Sequence, residues 1–324
     1  MMLISRRKLL YLTVSAAACP AASRAETYPS RPIRLVVGFT PGAASDVIAR
    51  IFARGGSDFL GERIIVENKP GAGSSIAARS VARSAADGYT LFLVALSTLT
   101  NEIVHPASPP LKIGEAFSAV ALLADGPYLL LAGPSLKVNS IAELVSWARA
   151  HPGEVLYGSV GAGSIPHLCA ELFAQRAGIK LRHIPYPGSP QAVTDLIAGR
   201  ISIYFTTAPS VSGQIASGQL KALAIAADRR SAALPRVPTM TEAGINDFKI
   251  SLWLGLVAPA GTPRPIVERL AQAADRTMYA PDAVQALEKQ GYGPLHTGPD
   301  QFATFISRET DKWTAVARNI GLVS

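Results

Sequence analysis

The stretch VVGFTPGAASDVIARIF, Val36 to Phe52, joins three patterns. Ile33 to Val37 is an apolar run of strand type, Gly38 to Ala44 is a loop of small residues, and Asp46 to Phe59 has helical spacing. A strand feeding such a loop into a helix N-terminus builds an anion site, because first-turn N–H groups and the helix dipole face the loop. A phosphate-binding loop of the G-x-x-x-x-G-K-[ST] type needs a lysine, and GFTPGAASD has none. What the loop offers is the backbone N–H groups of Gly42 to Ser45 and the hydroxyls of Thr40 and Ser45, a set suited to one carboxylate. Asp46 would repel an anion there, and it reads as a cap or loop staple. The same residues also suit a plain strand–helix turn.

The unit has a counterpart about 120 residues on, YGSVGAGSIPHLCAELF from Tyr157 to Phe173. It contains G-x-G, but Pro166 stands in place of the third glycine of the dinucleotide fingerprint. Ser159, Gly161, Gly163 and Ser164 again suit an anion, with Ser164 as cap and Pro166 near the first helical position. A third loop, NKPGAGSSIAA from Asn68 to Ala78, is also glycine-rich. Three such loops in one chain point to a binding cleft.

Outside these units strands and helices alternate. Strands are expected at Arg63 to Val66, Thr90 to Ala95, Val155 to Gly158, Leu181 to Ile184, Ile201 to Phe205 and Leu220 to Ala226. Helices are expected at Gly73 to Ser84, Ile141 to Ala150 with Ser140 as N-cap, Pro166 to Ala177 and Pro190 to Ala198. This order implies an α/β protein with parallel sheets and helices on both faces. The end of the chain is mostly helical, with Thr262 capping one helix, Pro263 at its first position, and two more helices at Pro281 to Lys289 and Pro299 to Ile320. Phe117 to Ala132 and Ile250 to Gly261 are extended apolar stretches that suit strands crossing between two domains. The expected domains are residues 26–124 with 250–324, and residues 125–249.

The chain has 324 residues, 48% hydrophobic and 17% charged, enough for two cored domains. Arg6, Arg7 and Lys8, the apolar run Leu9 to Ala18, and Ser23-Arg24-Ala25 form an export signal, so residues 1–25 are set apart from the fold. SRRKLL suits either a twin-arginine or an ordinary secretory signal. The formal charge of +8 includes four basic residues and no acid in that segment, leaving about +4 for the rest. That gives no case for nucleic acid. Cys169 is then the sole cysteine and reads as packing. No later apolar run is long enough to cross a membrane.

Catalytic patterns are scarce. No G-x-S-x-G, H-E-x-x-H or paired-cysteine zinc pattern occurs, and His105, His151, His167, His183 and His296 are dispersed. His167, beside the second loop, reads as a structural or ligand-bonding residue rather than a base. No cofactor and no metal are expected.

Residues of this kind, in this order, are similar to a known family. YPSRPIRLVVGFTPGAASDVIAR, VENKPGAGSSIAARSVARSAADGYTL, YGSVGAGSIPHLCAELF, HIPYPGSPQAVTDLIAGRISI, LPRVPTMTEAG, LVAPAGTP and FISRETDKWTAVARNIG resemble the Bug family, the extracytoplasmic solute receptors of tripartite tricarboxylate transporters. The resemblance runs from about Tyr28 to Gly321. It implies a two-domain periplasmic-binding-protein fold of type II, a Venus flytrap of two doubly wound sheets joined by crossover strands. It also implies a non-enzymatic, monomeric receptor for a small organic acid, working with the membrane subunits of such a transporter. By position, it implies ligand contacts from Phe39, Thr40, Pro41, Gly42, Ala43 and Ser45; from Ser97 and Thr98; from Gly161, Ala162, Gly163, Ser164 and His167; and from Tyr186, Gly188 and Thr206. Relatives commonly read Pro-Gly-Gly-Gly-Thr-Asp in the first loop, and Ala43 and Ala44 narrow it here. An acid often stands where this chain has Thr206, which favours a plain acid over an amino acid. An enzyme acting on a carboxylate in the same cleft, and a receptor feeding a sensor kinase, are the alternative readings.

Overall fold

The computed structural model describes residues 28–106, 109–231, 234–295 and 297–323. The export segment, residues 1–25, and His296 lie outside them.

The described strands form two sheets. The first contains β1 (Ile33–Val37), β2 (Ile64–Asn68), β3 (Thr90–Ala95), β4 (Phe117–Asp125), β10 (Leu254–Pro259) and β11 (Gly293–Pro294), in the order β11-β4-β10-β3-β1-β2. The second contains β5 (Tyr128–Ala132), β6 (Val155–Ser159), β7 (Leu181–Pro185), β8 (Ile203–Thr207) and β9 (Lys221–Ile225), in the order β7-β6-β8-β5-β9. β1 is parallel to β2 and β3, and β6 to β7 and β8, as the alternation requires. β10 is antiparallel to both β3 and β4, and β5 to both β8 and β9. The sheets are therefore mixed, which corrects the expectation of parallel sheets. The strands that arrive from the other sheet enter head-on and insert antiparallel.

The first crossing is short and the second is long, from the end of β9 at Ile225 to the start of β10 at Leu254. β4 passes into β5 through Gly126 and Pro127, and Pro127 forms an antiparallel bridge with Ser251. The Leu252 N–H donates to Gly126 O at 2.7 Å. A Cβ on Gly126 would lie 2.9 Å from Gly291 O, so this crossing needs glycine.

Helix α1 (Ala44–Leu60) follows β1 and buries Ile48, Ala49, Phe52, Ala53 and Leu60 on one face, against the apolar side of the first sheet. It stops at Gly61, whose φ of +80° admits the left-handed cap. The third glycine loop does not enter its helix directly. Ala72–Ser74 make a tight turn, and α2 covers only Ser75–Ala82. β3 runs straight into α3 (Leu96–Val104), which the sequence reading had left unassigned. A short α4 (Ile113–Ala116) precedes β4.

In the second half, α5 (Ile141–Ala150) is capped as expected: Ser140 Oγ accepts the Glu143 N–H at 3.2 Å. α6 (Ile165–Ala177), α7 (Ser189–Ile197) and α8 (Ser212–Ala216) complete the helices around the second sheet. α9 (Arg264–Met278), α10 (Pro281–Lys289) and α11 (Pro299–Asn319) close the chain. Thr262 does not cap α9. Its hydroxyl donates to Pro259 O at 2.7 Å, and Pro263 takes the cap position.

α11 ties the crossing together. It packs on β4 and α3 and reaches α6 beside the second sheet. Glu309 Oε2 accepts the indole N–H of Trp253 at 3.1 Å and of Trp313 at 3.0 Å. Lys312 Nζ bonds Glu309 Oε1 at 3.0 Å and Lys249 O at 2.9 Å. Both indoles are fully buried, so their donors depend on this carboxylate. Glu309→Gln keeps an acceptor but loses the charge. It should lower unfolding stability by about 1–2 kcal/mol in denaturant titration, with a changed tryptophan emission.

Candidate functional site

The first loop is held from below. Asp46 is 3% exposed. Its carboxylate accepts the Gly42 N–H, Arg50 Nε and Asn68 Nδ2, each at 2.9 Å, and Asn68 also donates to Phe39 O at 3.0 Å. Burial pushes this carboxyl up, but the bonds from Arg50, Gly42 and Asn68 outweigh it and hold the group below its ordinary value. Asp46 is thus the staple of the loop. Ala43, the N-cap of α1, has no side-chain acceptor, so no side chain caps that helix.

Among the described helices only α5 has a side-chain cap, and three of the other helix starts lie close together. The N-caps of α3, α6 and α7 are Ala95, Ser164 and Gly188, and none makes a side-chain cap bond, although the Leu96 N–H of α3 already donates to Trp253 O at 3.2 Å. Ser164 has the right chemistry but turns its hydroxyl to Gly161 O at 2.6 Å. Uncapped helix starts leave N–H donors and a positive dipole end free for an outside acceptor.

α3, α6 and α7 bring those starts to one cavity of about 440 Å3 between the sheets. Gly73, Ser97, Thr100, Asn101, His105 and Leu252 line it from the first sheet's side. Tyr128, Val160, Ala162, Gly163, Ser164, Ile165, Pro166 and Ser189 line it from the second. No lysine or arginine is among them. Volume alone does not single this cavity out, since one of about 520 Å3 lies among α1, α9 and α10. Only the first has walls from both sheets at the carboxyl ends of strands, where doubly wound folds hold ligands.

Of the residues implied by the resemblance, Ser97, Ala162, Gly163 and Ser164 line this cavity. Phe39, Thr40, Pro41, Gly42, Ala43 and Ser45 sit at the carboxyl end of β1, off its walls. Thr40, Pro41 and Gly42 are exposed there and Ser45 is buried. Thr98 is buried, and its hydroxyl accepts the Ala95 N–H at 3.4 Å. Gly161 is part of the second loop, with its N–H on Ser159 Oγ at 3.0 Å. His167 is buried, and its Nδ1 accepts the Gly163 N–H at 3.0 Å. The Tyr186 hydroxyl donates to Asp195 at 2.9 Å, Gly188 is the N-cap of α7, and Thr206 is buried in β8 opposite Leu129.

Sequence reasoning missed Asn101, His105, Ser189 and Leu252. Asn101 Nδ2 donates to Ala72 O at 3.1 Å and Ser75 Oγ at 2.8 Å, pinning the third glycine loop against the cavity. In that loop Ala72, Gly73 and Ser74 all have positive φ (45°, 59° and 81°). Left-handed backbone at two non-glycine residues is strain held by the surrounding structure. A Cβ at Gly73 would lie 2.7 Å from the Asn101 side chain, so the close approach needs glycine. The glycine signal was visible in NKPGAGSS; the helix carrying Asn101 was not.

Behind the second loop three rings stack. Tyr157 and His183 have centroids 5.0 Å apart, and His183 and His167 4.3 Å. The Tyr157 hydroxyl donates to Glu171. Burial, and then the neighbouring His183, lower the His167 pKa to about 4. His183 is also lowered by burial, against the opposite pull of Glu171.

Among the described residues no helix is long and apolar enough to cross a membrane. Burial raises the Cys169 thiol far above its ordinary value, and the side chain is fully buried core.

The chain and its fold are similar to known proteins. The chain is 38% identical over 313 residues to Protein BugT of Bordetella pertussis, covering 96% of this chain and 95% of that one. A ligand-free TctC solute binding protein from Polaromonas superposes with a TM-score of 0.79 at 30% identity, over 90% of this chain and all of the other. MatC from Rhodopseudomonas palustris with bound malate superposes with a TM-score of 0.72 at 30% identity, covering 89% and 99%. The profile described as "Tripartite tricarboxylate transporter family receptor" matches residues 48–322. With the paired sheets and the cavity between them, these matches place the chain in that family of solute-binding receptors, which are not enzymes: it belongs to the tripartite tricarboxylate transporter receptor family.

Proposed function

We propose that this protein is a periplasmic receptor that captures a small organic dianion in the cavity between its sheets and delivers it to the membrane subunits of a tripartite transporter. The observation that carries the reading is the set of helix starts without side-chain caps at one cavity with no lysine or arginine in its walls. Such a site attracts a carboxylate through fixed N–H dipoles and a hydroxyl rim of Ser97, Thr100, Ser164 and Ser189. Malate in MatC is an acid of this class.

In this reading residues 26–124 with 250–324 form one lobe and 125–249 the other. The loop of Phe39 to Ser45 joins the site as the lobes close on the ligand. Residues 1–25 direct export and are removed, and the receptor acts as a monomer. The proposed contacts are Ser97, Ala162, Gly163 and Ser164, with Asn101 and Ser189 as the polar groups beside them.

A thermal-shift screen of C4 to C6 dicarboxylates, tricarboxylates, aromatic acids and amino acids tests the proposal. At least one dicarboxylate or tricarboxylate should raise the melting temperature by several degrees at millimolar concentration. A screen in which only amino acids, or no acid at all, stabilise the protein contradicts it.

A further inference from the structure

The second glycine loop is fastened at both ends by groups that do not face the cavity. At its start, Ser159 Oγ accepts the Gly161 N–H at 3.0 Å and lies 2.5 Å from His183 Nε2. At its end, the Gly163 N–H donates to His167 Nδ1 at 3.0 Å, and the Ser164 N–H to Gly161 O at 3.2 Å. The Ala162 N–H finds no acceptor inside the loop, and Ala162 is an exposed residue on the cavity wall. The fastening thus consumes the amides of Gly161, Gly163 and Ser164 and leaves the Ala162 amide for something else.

His167 is the third residue of α6, where a side chain can reach back to the N–H groups before the helix. Here it reaches one residue further than a capping box, to the residue before the N-cap. The bond needs an unprotonated Nδ1, and the ring's surroundings supply that. It is buried and stacked on His183, and it stays neutral down to about pH 4. The ring therefore serves as an acceptor through the whole neutral range. Gly163 has φ of +76°, and its close neighbour across the cavity is Val104. A loop freed at this point has a residue whose backbone is free to change conformation.

We infer that His167 is a positioning residue: its Nδ1 holds the Gly163 amide so that the loop presents the Ala162 N–H and the start of α6 to the ligand carboxylate. The inference deepens the proposed function and rests on it for the ligand, but not for the loop itself. His167 acts through the loop and does not touch the ligand.

Two variants separate this role from mere packing. In His167→Asn the side-chain Oδ1 takes the place of Nδ1 and keeps the acceptor. In His167→Leu volume is roughly kept and the acceptor is lost. Two measurements are made on each. The first is the amide hydrogen-exchange rate of Gly163, by NMR on ligand-free protein. The second is the affinity, by calorimetry, for the dicarboxylate that binds the wild type tightest.

Gly163 should exchange at least tenfold faster in His167→Leu and at close to the wild-type rate in His167→Asn. Affinity should fall about tenfold or more in His167→Leu and stay within about threefold in His167→Asn, the effect of one buried hydrogen bond. Equal exchange in all three proteins overturns the inference. So does an equal loss in both variants, which would mean that the ring itself contacts ligand. If no dicarboxylate binds the wild type, the proposed ligand class fails, while the exchange measurement still decides the role of His167.

Discussion

Gly163→Val loses at least about a hundredfold in affinity for the captured acid while the folded protein keeps its circular dichroism. Two separate effects act at this position. The backbone has φ of +76°, a conformation that costs a residue with a Cβ about 1–2 kcal/mol. The added Cβ would also lie 2.5 Å from Val104 Cγ1, and Val104 belongs to α3 on the other side of the cavity. A side chain on Gly163 therefore wedges the two walls apart, and closure is where a receptor of this shape gains its affinity. Gly42→Val separates the effects. Gly42 has φ of +82°, but a Cβ there meets nothing within 4 Å. Its loss should be about tenfold, from backbone strain alone. Titration calorimetry reads both, and wild-type affinity in Gly163→Val would rule out a ligand site that needs close approach at this loop.

Asp46→Ala has the largest expected effect on stability, about 3 kcal/mol in denaturant titration. The substitution removes the acceptor from the Gly42 N–H and from Asn68 Nδ2, both in the base of the first loop. Both donors are only part-buried, but a hydrogen bond to a charged group contributes about 1.5–3 kcal/mol. The exposed Arg50 rehydrates and adds little. The effect depends on pH in a stated direction. The Asp46 carboxyl titrates below its ordinary value of 3.8, so the folded state favours the carboxylate. Its stabilisation is complete above about pH 4 and is lost as pH falls through the depressed value. The stability gap between wild type and Asp46→Ala should thus narrow on acidification below about pH 4. A gap that stays constant into that range would show that Asp46 acts through packing alone.

Much of this was legible in local sequence. The strand–loop–helix at Val36 to Phe52 and its counterpart at Tyr157 to Phe173 read correctly because each carries an apolar run, small loop residues and a helical face in a few residues. Asp46 was legible as a staple because an acid next to an anion site is unfavourable. Ser140 followed by Glu143 gave a cap. Less was legible where the decision depends on distant partners. β10 and β5 insert antiparallel because each arrives from the other sheet, and no local pattern states the direction. Ser164 and Thr262 have cap chemistry, yet both hydroxyls bond carbonyl groups that only the fold brings near. Asn101 belongs to a helix that continues β3 without a loop, so no turn signal marks it. His167 was placed beside the correct loop, but which group faces its Nδ1 is a matter of side-chain geometry.

The same division explains the site. Loop composition led to the expectation of an anion, since backbone donors need small residues around them. The identity of the walls did not follow, because the cavity takes Tyr128 and Leu252 from the crossing segments and Ser189 from α7. Thr206 is buried in β8 and does not line the cavity. The expected preference for plain acids over amino acids then rests on the helix starts and the lack of acidic groups in the walls.

The most direct test compares a dicarboxylate with its uncharged diamide in titration calorimetry on the mature protein, with malate and malamide as the first pair. If helix N-termini hold the ligand, the dianion that stabilises the protein binds one to one and its diamide binds at least about a hundredfold more weakly, the loss of two charge-assisted interactions. Equal affinity for the diacid and the diamide would contradict an anion site in this cavity.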